Sequence, residues 1–344
     1  MMTTTVSFYD RTRRDRTTWQ NEEVYAFEGA LPDLLAYVPA FERWPLAFDH
    51  GARRQVQISL FEEGLAPGDT GINPYYDSVI RQPRQPTEQP IPVGIVSKNY
   101  ALVQHRDIIA TLLEVLPAAK LDPATLSAKL RITELGTRMA VRVVLADTHA
   151  FDPGDGNKLF LCLECHNSVD GSSRLRLHFS WLRLVCRNGL MVDHARISQF
   201  QRLHTNGLEI SEVADYLATN LQEIKQDQMR LRRWRKRSLT TTQVTRWADG
   251  PLAKAWGSHA ASRAYHIIMT GEDGEIADPF EAAPPHERRL IHRLAVPGAV
   301  TPGLNAYAAS QALSWLVGTR HDLEDQATRA REVTPLIEKL LQMK

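Results

Sequence analysis

Residues Lys158 to Val192, KLFLCLECHNSVDGSSRLRLHFSWLRLVCRNGLMV, constrain the fold more than any other stretch of this chain. Leu159, Leu161 and Leu163 alternate with Lys158, Phe160 and Cys162; further on, Leu175, Leu177 and Phe179 alternate with Arg174, Arg176 and His178. A period of two sends successive side chains to opposite faces of a strand. Between the two runs stands Val169-Asp170-Gly171-Ser172, where Asp-Gly supplies the positive φ that a hairpin tip demands. Arg187-Asn188-Gly189 marks a second sharp turn at the exit. The stretch therefore reads as a two-stranded hairpin.

Two earlier runs extend it. Leu130–Leu135 and Thr137–Leu145 read as strands separated by Gly136, with Arg138 and Arg142 on one side and Met139, Val141 and Val143 on the other. Four successive strands joined by short turns make an antiparallel meander. Upstream, Ile91–Val96 reads as a short strand, and Ile108, Ile109, Leu112, Leu113 and Leu116 give a helix over 105–116 that Pro117 ends. Asp122-Pro123 starts a second short helix. After the meander, Val213, Leu217, Leu221, Ile224, Leu231 and Trp234 recur at helical spacing, predicting a helix capped by Ser211 and running to about Ser238. Two closing helices fall over roughly 303–318 and 322–342. The N-terminal part reads differently: an arginine-rich arm over 1–20, a helix from Glu28 to Trp44 broken at Pro39 and Pro45, and a connection or flap from Pro67 to Pro92. The fold class is α+β, an antiparallel β-meander flanked by helices with a largely helical C-terminal half. It divides into 1–90, 91–208 and 209–344.

With 344 residues and a formal net charge of +1, the chain can bury a sizeable core, and it is no bulk polycation. Nucleic-acid contact would have to come from local clustering of arginines. The N-terminus lacks the apolar stretch of a secretory signal, and no apolar run is long enough to span a bilayer. Three cysteines make no disulfide framework. A cytoplasmic location with reduced thiols follows, with no membrane contact.

Three segments resemble the family called domain of unknown function 932, also labelled phage/plasmid-like proteins. They are Gly94-Ile-Val-Ser-Lys-Asn-Tyr-Ala-Leu-Val-Gln104; Asn167-Ser-Val-Asp-Gly-Ser-Ser173 followed by Leu184-Val-Cys-Arg-Asn-Gly-Leu190; and Ile197 to Gly207 followed by Asn305-Ala-Tyr307. The resemblance spans about residues 90–320. It implies a protein of phages, plasmids or integrated elements and supplies no catalytic residues.

Cys162-Leu-Glu-Cys165-His166 spells a c-type haem attachment pattern, but positions 162 and 165 of a strand face opposite ways and cannot grip one haem edge. Zinc on Cys162, Cys165, His166 and Cys186 would need a tight turn where the run is apolar, so buried structural thiols are expected and no cofactor or metal. His166 and Asp170 could form an acid/base pair, with Lys98 and Tyr100 converging on it, which is the enzyme reading. Turn chemistry explains Asp170 more simply.

The alternation says more. If the strands are neighbours, their apolar sets share one core, and Arg138, Arg142, Lys158, Arg174 and Arg176 gather on the other face with Phe160 among them, extended by Arg183 and Arg187. Cations interleaved with an aromatic ring are a way to hold single-stranded nucleic acid, although antiparallel sheets normally carry a solvated polar face. A second cluster, Arg230, Arg232, Arg233, Arg235, Lys236 and Arg237, wraps the helix end around Leu231 and Trp234, where the helix dipole favours cations in any case. Thr240 to Gly257 is a weak helix-turn-helix pattern. The leading expectation is a non-catalytic nucleic-acid-binding protein of a mobile element, with single-stranded DNA favoured over RNA. By analogy with ring-forming single-strand-annealing proteins, it could be a homo-oligomer. An adaptor presenting an apolar patch around Trp247, Trp256 or Trp315 is the third alternative.

Overall fold

The computed structural model describes residues 14–49, 70–145, 150–184, 191–194, 199–205, 212, 215–216, 224–278, 280 and 282–343. The chain opens with β1 (Arg14–Trp19) and β2 (Glu22–Ala30), makes a 3-10 turn over Leu31–Tyr37, and forms a three-stranded antiparallel sheet from β3 (Phe41–Asp49), β4 (Thr70–Arg81) and β5 (Ile91–Ser97). Helix α1 (His105–Val115) follows. Then come β6 (Ser127–Thr133), β7 (Arg138–Val144), β8 (Leu159–Ser168) and β9 (Leu175–Leu184), with β10 (Met191–His194) and β11 (Gln199–Arg202) both pairing with β9. The large sheet runs β1-β2-β6-β7-β8-β9-β10, so the N-terminal strands complete the meander.

The rest is mainly helical: α2 (Ile224–Lys236), α3 (Thr241–Trp247), α4 (Ala253–Trp256), α5 (Ser258–Thr270), α6 (Ala306–Gly318) and α7 (Leu323–Gln342). Between α5 and α6 lies a hairpin of β12 (Glu272–Ile276) and β13 (Leu290–Ala295) that the sequence did not announce. The architecture is α+β. Among the described residues no helix is long and apolar enough to cross a membrane.

Three N-terminal expectations are corrected. Arg14–Trp19 is a strand rather than arm: Thr18 N donates to His321 O at 2.6 Å, and Trp19 is fully buried. The helix expected over 28–44 is instead the end of β2, a 3-10 turn and the start of β3. The proline-rich connection contains β4 and β5. Pro74 is tolerated because the β3–β4 register slips between Pro45↔Asp77 and Ala47↔Ile72. Pro74 sits in that slip, where Asn73 Oδ1 accepts the Tyr75 and Tyr76 N–H groups at 2.9 and 3.1 Å. Asp122-Pro123 makes a turn and no helix; Asp122 Oδ1 accepts from Ala124 N at 3.0 Å.

The inner face of the meander carries Leu130, Ile132, Met139, Val141, Val143, Leu161, Leu163, Leu177 and Phe179. These share one apolar core with Ile108, Ile109 and Leu112 of α1 and with Leu231, Trp234, Trp247, Leu313 and Ile337 of the helical half. Polar contacts lock α1 and the small sheet onto the hairpin. Gln104 exchanges two hydrogen bonds with the Phe41 backbone, and Tyr100 Oη donates to Ser168 O at 3.0 Å. A Cβ on Gly94 would stand 2.9 Å from Asp170 Cα, so only glycine allows β5 to approach the hairpin tip this closely.

His105, first residue of α1, is fully buried. Asn167 Nδ2 lies 2.9 Å from Val103 O and 2.9 Å from His105 Nδ1, which makes Nδ1 an acceptor; His105 Nε2 then donates to Gly136 O at 2.8 Å. Burial pushes its pKa down to about 4, a fall that the Gly136 hydrogen bond only partly opposes. The folded state holds this ring neutral while the unfolded chain protonates it below about pH 6.5. Its share of stability is therefore complete above that pH and drains away as pH falls toward 4. The predicted loss is on the order of 3 kcal/mol. Urea titrations at pH 7 and pH 5 should show about 2 kcal/mol of it in the native chain, and a smaller pH difference in His105→Gln.

Candidate functional site

Strand register brings most of the sequence-predicted residues onto the outer face of the large sheet. Arg142 pairs across to Glu164 and Glu164 to His178, while Ala140 pairs to His166 and His166 to Arg176. On β6, Lys129 and Arg131 stand opposite Arg142 and Ala140 on the same face. The alternation thus placed the strand cations together, as expected. It did not place Arg138 or Arg176 in solvent.

This face is covered. Trp19 at the end of β1 and Leu323 at the start of α7 pack with Val24 and Ala140, and a parallel bridge joins Thr18 to Asp322. Beneath them Arg138 is 7% exposed, Arg176 6%, Glu164 4%, His166 3% and His178 1%. Charges enclosed this way need partners, because desolvation outweighs any long-range attraction. Arg138 donates to Trp19 O at 3.1 Å, Glu22 Oε1 at 2.9 Å, Ser172 Oγ at 2.7 Å and Asp170 Oδ2 at 3.3 Å. Arg142 holds Glu164 Oε2 through Nε at 2.7 Å and Nη2 at 2.5 Å. Arg176 pairs with Glu324 of α7. At Arg138, Arg142 and Arg176 the expected exposed cationic sheet face is therefore an enclosed ionic layer.

Glu164 is at its centre. Burial alone would raise its carboxyl pKa; the Arg142 guanidinium, the His166 hydrogen bond and the charges of both histidines reverse that and hold it well below the ordinary carboxylate range. Its Oε1 is 2.9 Å from His166 Nε2 and its Oε2 4.0 Å from His178 Nε2. The rings of His166 and His178 stack at 5.6 Å, and Trp19 meets His166 edge-on at 5.5 Å. One ligand atom from each of Glu164, His166 and His178 lies within 4.8 Å of the others, the one set of its kind among the described residues. Glu164 escaped the sequence reading, although its place two residues before His166 puts both on one strand face. Trp19, Glu22 and Glu324 carried no local signal, since they arrive from distant parts of the chain.

The acid/base reading is corrected on the same geometry. His166 faces Glu164, whereas Asp170 accepts from Arg138 and from Ser172. Lys98 pairs with Asp77, and Tyr100 is committed to Ser168. These four side chains do not converge. Cys162 and Cys165 face opposite ways: Cys162 Sγ lies 2.8 Å from Ser180 Oγ on the outer face, while Cys165 is in the apolar core, where burial raises its thiol pKa. Cys186 and Arg187 lie outside the described residues, as does the side chain of Arg183. Lys158 and Arg174 are exposed, and Phe160 is half-buried.

The second cluster keeps its exposure. Helix α2 buries Ile224, Asp227, Leu231 and Trp234. Trp181 Nε1 donates to Asp227 Oδ2 at 2.5 Å, and Arg230 pairs with Asp227 while lying over the Trp234 ring at 5.4 Å. Past the helix, Leu239 N donates to Leu304 O and Ala306 N to Arg237 O, tying this end to α6. Arg232, Arg233, Lys236 and Arg237 point outward, with Arg235 half-buried. Thr240 to Gly257 forms no helix-turn-helix. Capped by Thr240 and Gln243, α3 runs through a π-helical turn at Ala248–Leu252 that absorbs Pro251. The apolar patch required of an adaptor is missing at its expected place: the indole N–H groups of Trp247, Trp256 and Trp315 donate to Leu336 O, Glu332 Oε2 and Asp273 Oδ2, and Trp247 and Trp256 are buried.

A family model described as a domain of unknown function (DUF932) matches residues 92–286, more than half of the chain. No curated protein and no solved structure matches.

The two clusters should respond differently to truncation. Arg138→Met leaves Glu22 and Asp170 without their enclosed partner and is expected to cost about 3 kcal/mol. Arg233→Ala should change stability by less than about 0.5 kcal/mol. Urea unfolding of the two variants checks both.

Proposed function

This chain belongs to the DUF932 family, whose description assigns no function, and we propose that it binds nucleic acid through the cationic end of α2, single-stranded DNA before duplex. One observation carries this reading: Arg232, Arg233, Lys236 and Arg237 stand exposed with no carboxylate partner among the described residues, Arg232 lying over the Phe151 ring at 5.7 Å, while the strand arginines Arg138, Arg142 and Arg176 are paired. At helical spacing Arg232, Lys236 and Arg233 fall within an arc of about 100°, opposite Leu231 and Trp234. The helix dipole favours cations there by about 0.3–1 kcal/mol each, but it does not account for four of them without an ion pair among the described residues. Phosphates supply the missing charge.

The preference for single strands is supported by a different surface. Trp44, Tyr75 and Tyr76 are exposed on β3 and β4, and unpaired bases stack on such rings. On this reading the setting is DNA of a mobile element, as the phage/plasmid-like resemblance implies.

Anisotropy titrations of a labelled oligonucleotide at two salt concentrations test the reading. Three to four phosphate contacts predict a log K against log salt slope of about −2 to −3 for a single strand. Reversing Arg232, Arg233 and Lys236 to Glu should abolish binding without lowering the unfolding midpoint, and Trp44→Ala should weaken single strands more than duplex. Binding that is absent, insensitive to salt, or unchanged by the reversal contradicts it.

A further inference from the structure

The buried set on the outer sheet face has a donor composition that an ion network alone does not require. Two imidazoles and one carboxylate are the protein ligands of many zinc and non-haem iron sites. Here all three come from the middle of paired strands rather than from loops: Glu164 and His166 at i and i+2 on β8, and His178 directly across on β9. Strand period and register alone therefore aim them at one point. We propose that Glu164, His166 and His178 bind one divalent transition-metal ion.

The spacing suits such an ion. Nitrogen and oxygen ligands at about 2.0–2.2 Å from a metal stand about 3–3.5 Å from one another. The Glu164 Oε1–His166 Nε2 separation of 2.9 Å is close to that range; His178 Nε2 lies 4.0 Å from the other carboxylate oxygen, Oε2, and one ligand atom from each of the three residues lies within 4.8 Å of the others, a gap that side-chain rotation closes around a metal. Arg142 binds the Oε2 edge of the carboxylate. Oε1, which faces His166, serves as the metal-binding oxygen, and Arg142 takes the place of the outer hydrogen-bond donor that fixes a ligating carboxylate. The neighbouring guanidiniums disfavour a hard cation held by charge alone. Nitrogen donors and enclosure under Trp19 select an ion that gains from imidazole, with Zn²⁺ or Fe²⁺ ahead of Mg²⁺ or Ca²⁺.

This site is independent of the α2 ridge, and its test needs neither nucleic acid nor activity. Metal is stripped from the full chain, which is then titrated with Co²⁺ while the visible d–d absorption is followed, and the protein as purified is assayed for bound metal. The expected result is one equivalent with a tetrahedral or five-coordinate spectrum, displaced by Zn²⁺, and a higher melting temperature with Zn²⁺ than with chelator. His178→Ala and His166→Gln should each weaken Co²⁺ binding roughly tenfold or more. The wild-type spectrum needs no variant, so a misfolded substitution cannot mask the answer. The triple ridge reversal should bind Co²⁺ as the native chain does. No spectrum with no thermal response, or Co²⁺ binding that survives both histidine substitutions, overturns the proposal.

Discussion

A carboxylate enclosed on a β-sheet has to be neutralised where it stands, and the outer face of this protein is arranged around that requirement at Glu164. Arg142 meets it from β7, His166 from two residues along and His178 from β9. Each guanidinium brought under cover sets the same demand in turn. Glu22 and Asp170 answer Arg138, and Glu324 answers Arg176. The partners come from β2, the hairpin tip and α7. Closing the electrostatics of the sheet thus draws both ends of the chain onto its middle, and β1 and the start of α7 become the lid that makes the face an interior.

The opposite side of the sheet is held by apolar packing, and its polar fastenings are few but specific. His105 and Asn167 fix each other's hydrogen-bonding roles between α1 and β8. Gly94 and Tyr100 seat the small sheet against the hairpin tip. The segments that carry the family resemblance, 94–104 and 167–173, meet in space at these contacts. In this protein their residues act as joinery between two sheets and a helix.

The sequence made the meander legible because a period of two survives even when both faces of a strand are buried: Met139, Val141 and Val143 against Arg138 and Arg142 reads the same in either case. For the same reason it could not reveal what lies on the polar side. Whether Arg176 faces water or Glu324 depends on a residue 148 positions away. β4 was obscured by Pro74, which lies in a register slip where no ladder hydrogen bond is needed. β1 was obscured by its arginines, which local composition assigns to a solvated terminus. The helices 306–318 and 323–342, expected over roughly 303–318 and 322–342, were readable to within three residues, since apolar helical spacing is a local signal. The helix end at 230–237 was legible as a charge cluster, and there burial of Leu231 and Trp234 leaves the remaining positions outside.

Arginines locked into the sheet by carboxylates thus stand apart from Arg232, Arg233 and Arg237 at the end of α2, which have no carboxylate partner among the described residues, and this separation is what the account stands on. Arginine modification by a dicarbonyl reagent, read peptide by peptide by mass spectrometry with and without a single-stranded oligonucleotide, measures it directly. The account predicts rapid modification of Arg232, Arg233 and Arg237, slowed by the oligonucleotide, with Arg138, Arg142 and Arg176 reacting only after unfolding. Early modification of the three strand arginines in the folded protein, or their protection by the oligonucleotide, would contradict it.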